Sequence, residues 1–125
     1  MTSRISHTTI DARDAYAQSV WWGRVLGMTE DPDDPNEPGD EECMLFSTDR
    51  DVRLLFIEVP ESKTVKNRIH FDLRAAEGSR EDEIERLLAR GATAVDDRRN
   101  PDGTGWMVLA DPEGNEFCLL RTLAD

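Results

Sequence analysis

The chain has 125 residues, 38% of them apolar, with a formal net charge of −12 and a pI near 4.5. That length sustains one domain with its own core, and the apolar share predicts folding rather than disorder. The acidity weighs against nucleic acid and anionic membrane as partners and reads first as a solvated surface. No run of about 18 apolar residues occurs, so no membrane span is expected. Met1-Thr2-Ser3-Arg4-Ile5 has no apolar signal core. Cys43 and Cys118 are the only cysteines, so no disulfide framework is expected and a reduced cytoplasmic setting is the default.

In chain order, His7-Thr8-Thr9-Ile10 begins a strand-like segment. Asp14 is placed to cap a helix whose interior, Tyr16 to Leu26, ends at Gly27. Asp31 to Glu42 is acidic and holds three prolines, so it reads as an exposed excursion. Met44-Leu45-Phe46, the acidic turn Asp49-Arg50-Asp51 and Leu54-Leu55-Phe56-Ile57 follow as strand, turn and strand. Pro60 to Asn67 links to a second strand segment at 69–74. Ser79 with Asp82 fits a capping box before a helix that places Ile84, Leu87, Leu88 and Gly91 on one face. Asn100 to Gly105 is a turn before Trp106. Met107-Val108-Leu109, the turn Asp111-Pro112-Glu113-Gly114 and Phe117-Cys118-Leu119-Leu120 close the chain.

The second half repeats the first. His7 and His70 lie 63 residues apart, Gly27 and Gly91 lie 64 apart, and both strand–turn–strand endings recur at the same interval. A single period shared by several landmarks takes precedence over local assignments. Each half reads strand, helix, strand, strand, strand. The fold class is therefore α+β. Its modules span about 1–60 and about 68–125, joined by a linker at 60–67, within one domain of 1–125.

Strand alternation assigns faces. Ile69, Phe71 and Leu73 form an apolar face expected to pack on the helices, opposite His70, Asp72 and Arg74. Thr8 and Ile10 lie opposite His7, Thr9 and Asp11. Phe117 and Leu119 lie opposite Glu116, Cys118 and Leu120. Two sheets that are polar on the face away from the helices suggest a cup holding His7, Thr9, His70, Asp72, Glu116 and Cys118. The plainer reading is a solvated antiparallel face; matched histidines favour a concave site. His70 and Asp72, two apart on one face, are the candidate base and orienting acid. Trp106, after a glycine loop, is a candidate gate, and Trp21 is expected in the core. Lys63, Lys66 and Arg68 form a basic patch that reads as a solvated linker or, less simply, an anion site.

The His7-x-x-Ile10 start, the Val25-Leu26-Gly27 helix end, the His70 strand and the Asp111-Pro112-Glu113-Gly114-Asn115 ending resemble the vicinal-oxygen-chelate superfamily of glyoxalases, bleomycin and fosfomycin resistance proteins and extradiol dioxygenases. Val59 to Lys63, Lys66 to His70 and Gly105 to Asp111 look like its actinobacterial glyoxalase-like branch. The resemblance implies two βαβββ modules forming an open, cup-like mixed sheet with helices on the outer face. It also implies a homodimer, and it places Trp22 nearer the cavity than Trp21. It maps the superfamily's four metal positions onto His7, Ile57, His70 and Cys118. Both histidines remain. Ile57 and Cys118 stand where the metalloenzymes carry carboxylates. Oxygen-seeking ions are poorly served by that set, and glyoxalase I chemistry, which needs its metal, is not expected. His7, His70 and Cys118 would be the ligands of any ion, in principle Zn²⁺.

The expectation is a protein that binds a small organic molecule, with no cofactor and no catalytic metal. Its ligand-binding residues would be His7, Thr9, Trp22, Ile57, His70, Asp72, Trp106, Glu116 and Cys118. The alternatives are a lyase, isomerase or dioxygenase using a non-standard metal site or His70 as base, an antibiotic-sequestering resistance protein, and an accessory domain with a vestigial cup.

Overall fold

The computed structural model describes residues 2–122. The chain divides into two compact units, residues 1–62 and 63–125. Among the described residues no helix is long and apolar enough to cross a membrane.

The first unit runs β1 (Thr8–Ala12), α1 (Ala15–Leu26), β2 (Glu42–Phe46) and β3 (Arg53–Glu58). Asp14 caps α1 by accepting the Ala17 N–H at 3.0 Å, and Gly27 ends it in the left-handed region at φ 67°. The strands form a sheet in the order β1-β3-β2, with β1 parallel and β2 antiparallel to β3. Leu45, Leu54 and Phe56 are buried, while Met44, Leu55 and Ile57, on the opposite face, are half-buried. This unit has three strands where its sequence predicts four. Thr29 and Phe46 make only an isolated bridge. They lie 64 residues before Thr93 and Ala110, which begin a full strand pair in the second unit. The proline-rich excursion that follows Thr29 has no β pattern, so the pairing stops after one bridge.

The second unit runs β4 (Asp72–Leu73), α2 (Arg80–Ala89), β5 (Thr93–Arg99), β6 (Gly105–Ala110) and β7 (Glu116–Leu120). Its sheet has the order β4-β7-β6-β5, parallel between β4 and β7 and antiparallel elsewhere. The fold is thus α+β, built of two βαβββ-like modules with mixed sheets and one helix each. Ser79 caps α2 by accepting the Asp82 N–H at 3.1 Å. Ile84 and Leu87 are buried, but Leu88 is 37% exposed. Gly91 is exposed too and lies beyond the helix, so the buried face is narrower than expected. Leu109, Phe117 and Leu119 are at most 1% exposed; each such side chain contributes on the order of 1.5–3 kcal/mol by leaving water.

The strand expected over 69–74 shortens to Asp72–Leu73. Ile69, assigned to the buried face, is 82% exposed. Side-chain hydrogen bonds replace the ladder there. Asn67 accepts the Glu116 N–H at 2.8 Å through Oδ1 and donates through Nδ2 to the carbonyls of Ile69 (2.6 Å) and Glu116 (3.2 Å). Its amide therefore occupies the place of the next strand residue beside β7.

The 111–115 turn has a direct physical account. Asp111 is 3% exposed. Its Oδ1 accepts the N–H groups of Glu113 (2.9 Å) and Asn115 (3.0 Å), and Oδ2 accepts from Asn115 Nδ2 at 3.3 Å. A buried carboxylate with three donors is satisfied and fixes where β7 starts. Gly105 is equally constrained. At φ 85°, an added Cβ would sit 2.1 Å from the Arg98 carbonyl oxygen, so only glycine opens β6 here. Asp111→Ala should lower unfolding free energy by roughly 2–4 kcal/mol, read from urea midpoints at neutral pH. A loss under about 0.5 kcal/mol, the ordinary surface-mutation range, would contradict this role.

Candidate functional site

The open face of the second sheet carries the site. Sheet register aligns Asp72 on β4, Cys118 on β7, Val108 on β6 and Asp96 on β5 in one row. The neighbouring row aligns Leu120, Trp106 and Arg98. An irregularity between Ala94 and Asp96 leaves Val95 outside the pairing and 53% exposed. These rows bound a cavity of about 610 Å³, completed by Lys66, His70 and Glu116. Val95, Trp106, Val108 and Leu120 give it an apolar wall; His70, Asp72, Glu116 and Cys118 are polar groups at the β4–β7 side, and Asp96 and Arg98 are charged groups on β5. That size and mixture are typical of small-molecule sites.

The polar end is a chain of three groups. His70 Nε2 lies 3.3 Å from Asp72 Oδ1, with the two side chains 41% and 52% exposed. The Cys118 thiol donates to the Asp72 carboxylate. Cys118 is 8% exposed, and its backbone N–H is held by the Phe71 carbonyl at 2.9 Å. Burial pushes the thiol pKa up, the Asp72 charge and hydrogen bond push it further, and Lys66 opposes them. Cys118 is therefore a neutral hydrogen-bond donor near pH 7 rather than a nucleophile.

Glu116 is tied down. Its Oε1 accepts from Lys63 Nζ at 3.1 Å, while Oε2 makes an ion contact at 2.9 Å. Burial raises its pKa, but the Lys63 hydrogen bond and charge, with backbone N–H groups including that of Asn67, outweigh burial and leave it lowered. Lys63 is thereby removed from the basic patch. Lys66 stays exposed at the cavity, and Arg98 is engaged by Asp96 at 2.6 Å.

The structure brings together His70, Asp72, Trp106, Glu116 and Cys118. His7, Thr9 and Ile57 belong to the first unit. There Thr9 pairs in register with Leu55, and Asp11 pairs with Ile57. Ser6 Oγ lies 3.0 Å from His7 Nδ1. The two tryptophans of α1 differ from the expectation in burial. Trp22 is 2% exposed, whereas Trp21 is half-buried, and their rings meet edge to face at 4.9 Å. Trp22 is a core side chain, because Ala15, Gln18, Ser19 and Trp22 together form the buried stripe of α1.

Sequence reasoning missed Val95, Val108 and Arg80. The irregularity that frees Val95 leaves no sequence mark. Arg80, a 4% exposed cation, donates to the carbonyls of Gly105 (3.1 Å) and Gly103 (3.3 Å) and so fixes the loop leading to Trp106. An arginine at the first position of a helix gives no hint of that burial.

Residues 7–120 match the family model described as "Glyoxalase-like domain". No curated protein matches the chain. Among solved structures, the chain is similar to the fosfomycin resistance protein FosX from Listeria monocytogenes. That match has 16% identity and TM-score 0.71, and it covers 100% of this chain and 95% of that one. A variant of the Listeria protein complexed with Mn(II) and 1S,2S-dihydroxypropylphosphonic acid matches at 19% identity and TM-score 0.70, covering 98% and 92%. A possible glyoxalase from Bacillus cereus matches at 15% identity and TM-score 0.65, covering 95% and 99%. At these identities the likeness concerns the fold. Within the second unit, the Cys118 thiol is a poor donor for an ion such as Mn²⁺.

Asp72→Asn removes the charge that raises the Cys118 pKa. Alkylation of Cys118 by iodoacetamide near pH 7 should speed up a few-fold, with fully buried Cys43 as an internal reference. An unchanged or slower rate would refute the thiol–carboxylate contact.

Proposed function

The chain belongs to the glyoxalase-like domain family, and on that premise we propose that it binds a small organic molecule in the cavity of its second unit. The reading has no catalytic metal. The observation that carries it is the convergence of His70, Asp72 and Cys118 at one end of an apolar cavity walled by Val95, Trp106, Val108 and Leu120. The cavity charges are mixed and largely paired, Arg98 with Asp96 and Glu116 with Lys63. This favours a ligand whose aromatic or aliphatic body meets the walls, with a hydrogen-bonding group directed at Asp72. Trp106, 42% exposed on the cavity face, supplies the largest apolar contact. Sequestration of an aromatic metabolite or antibiotic fits this arrangement. The reading also carries a homodimer in a reducing cytoplasm, where Cys118 remains a thiol.

A second reading rests on the His70–Asp72 contact of 3.3 Å. In it, His70 acts as a base held by Asp72, and the protein is a lyase, isomerase or dioxygenase.

A screen of aromatic and aliphatic fragments by calorimetry tests both. A hit should weaken at least tenfold, about 1.4 kcal/mol, in Trp106→Ala while circular dichroism is unchanged. Equal affinity in that variant would remove the cavity reading. If the hit is turned over, His70→Ala should abolish turnover while binding persists; unchanged turnover would exclude His70 as base.

A further inference from the structure

The same three polar groups have a second chemistry. Among the described residues, one ligand atom each from His70, Asp72 and Cys118 lies within 4.8 Å of the others. We propose that this imidazole–carboxylate–thiolate set is a site for a soft or borderline divalent cation, Zn²⁺ in particular, formed wholly within the second unit. It stands apart from the organic-ligand reading, although it shares one end of the same cavity.

Geometry supports it first. Zn²⁺ bonds of about 2.0–2.3 Å to N, O and S in a tetrahedron place neighbouring ligand atoms about 3.3–3.7 Å apart. His70 Nε2 and Asp72 Oδ1 already stand 3.3 Å apart. The widest pair needs to close by only about 1 Å on that scale. His70 and Asp72 are the more exposed partners and can turn toward the buried, β7-anchored Cys118.

Donor chemistry supports it next. One nitrogen, one oxygen and one sulfur suit Zn²⁺ and disfavour Mg²⁺, Ca²⁺ and Mn²⁺. The Asp72 carboxylate accepts from the Cys118 thiol and contacts the imidazole. A cation between the three replaces both contacts, and the thiol proton leaves to solvent. Three protein ligands leave a fourth position open to the cavity.

The set keeps two of the positions that the superfamily resemblance supplies, His70 and Cys118, and departs from it in taking Asp72 as the third ligand and in needing neither His7 nor Ile57.

The test is calorimetric titration of chelator-treated protein with Zn²⁺, with Co²⁺ as a spectroscopic stand-in. One ion should bind per chain, and the Co²⁺ form should show a thiolate charge-transfer band in the near ultraviolet. Cys118→Ser should abolish the band and binding. His70→Ala and Asp72→Asn should each weaken Zn²⁺ at least tenfold, and His7→Ala and Trp106→Ala should leave it unchanged. A tenfold excess of Mn²⁺ should not displace Zn²⁺. Absence of binding, a missing charge-transfer band in the unaltered protein, or loss of Zn²⁺ in His7→Ala would each overturn the proposal. The unaltered protein's spectrum decides even if Cys118→Ser fails to fold. Zinc binding that fails while Trp106-dependent ligand binding succeeds would remove this inference alone.

Discussion

The second unit depends on how its final strand is held. β7 is paired on both sides, parallel to β4 and antiparallel to β6, so every side chain on its open face has neighbours fixed by register. A slip of one residue would turn Cys118 toward the helix and Phe117 into the cavity. Two side-chain devices prevent it. The buried Asp111 carboxylate closes the turn from β6, and the Asn67 amide docks on the backbone of Glu116. The Lys63–Glu116 pair secures the same point. Asn67 and Asp111, which do not line the cavity, thus place side chains that do.

The cavity follows from that register. Cys118 falls between Asp72 and Val108, and Leu120 falls beside Trp106. The neutral thiol, the carboxylate and the imidazole form a compact polar end, and the rest of the wall combines Val95, Trp106, Val108 and Leu120 with charged groups that are largely paired. Before β6, the buried Arg80 donates to the Gly103 and Gly105 carbonyls, so the segment entering Trp106 is held rather than loose.

Much of this was legible in the sequence. The repeat near 63 residues, the caps at Asp14 and Ser79 and the strand alternation around Cys118 all correspond to observed elements, because each rests on a local rule of spacing. What was not legible rests on long-range contacts. Ile69 reads as buried by alternation, but an amide from Asn67 ends the ladder before it. Trp21 and Trp22 are adjacent, and only the packing of α1 decides which is covered. The strand expected directly after α1 shrinks to one bridge at Thr29, which the proline-rich excursion follows. At the site, alternation put His7, Thr9, His70, Asp72, Glu116 and Cys118 on polar faces; the last four line one cavity of the second unit, and His7 and Thr9 belong to the first. The irregularity at Val95 and the buried role of Arg80 carry no sequence signature.

The most direct test of the central claim, that the open face of the second sheet is the binding surface, is backbone amide NMR during titration with fragments. The account predicts that the largest shifts fall on His70, Asp72, Val95, Trp106, Val108, Cys118 and Leu120. Shifts confined to the first unit, or spread without focus over the surface, would contradict it.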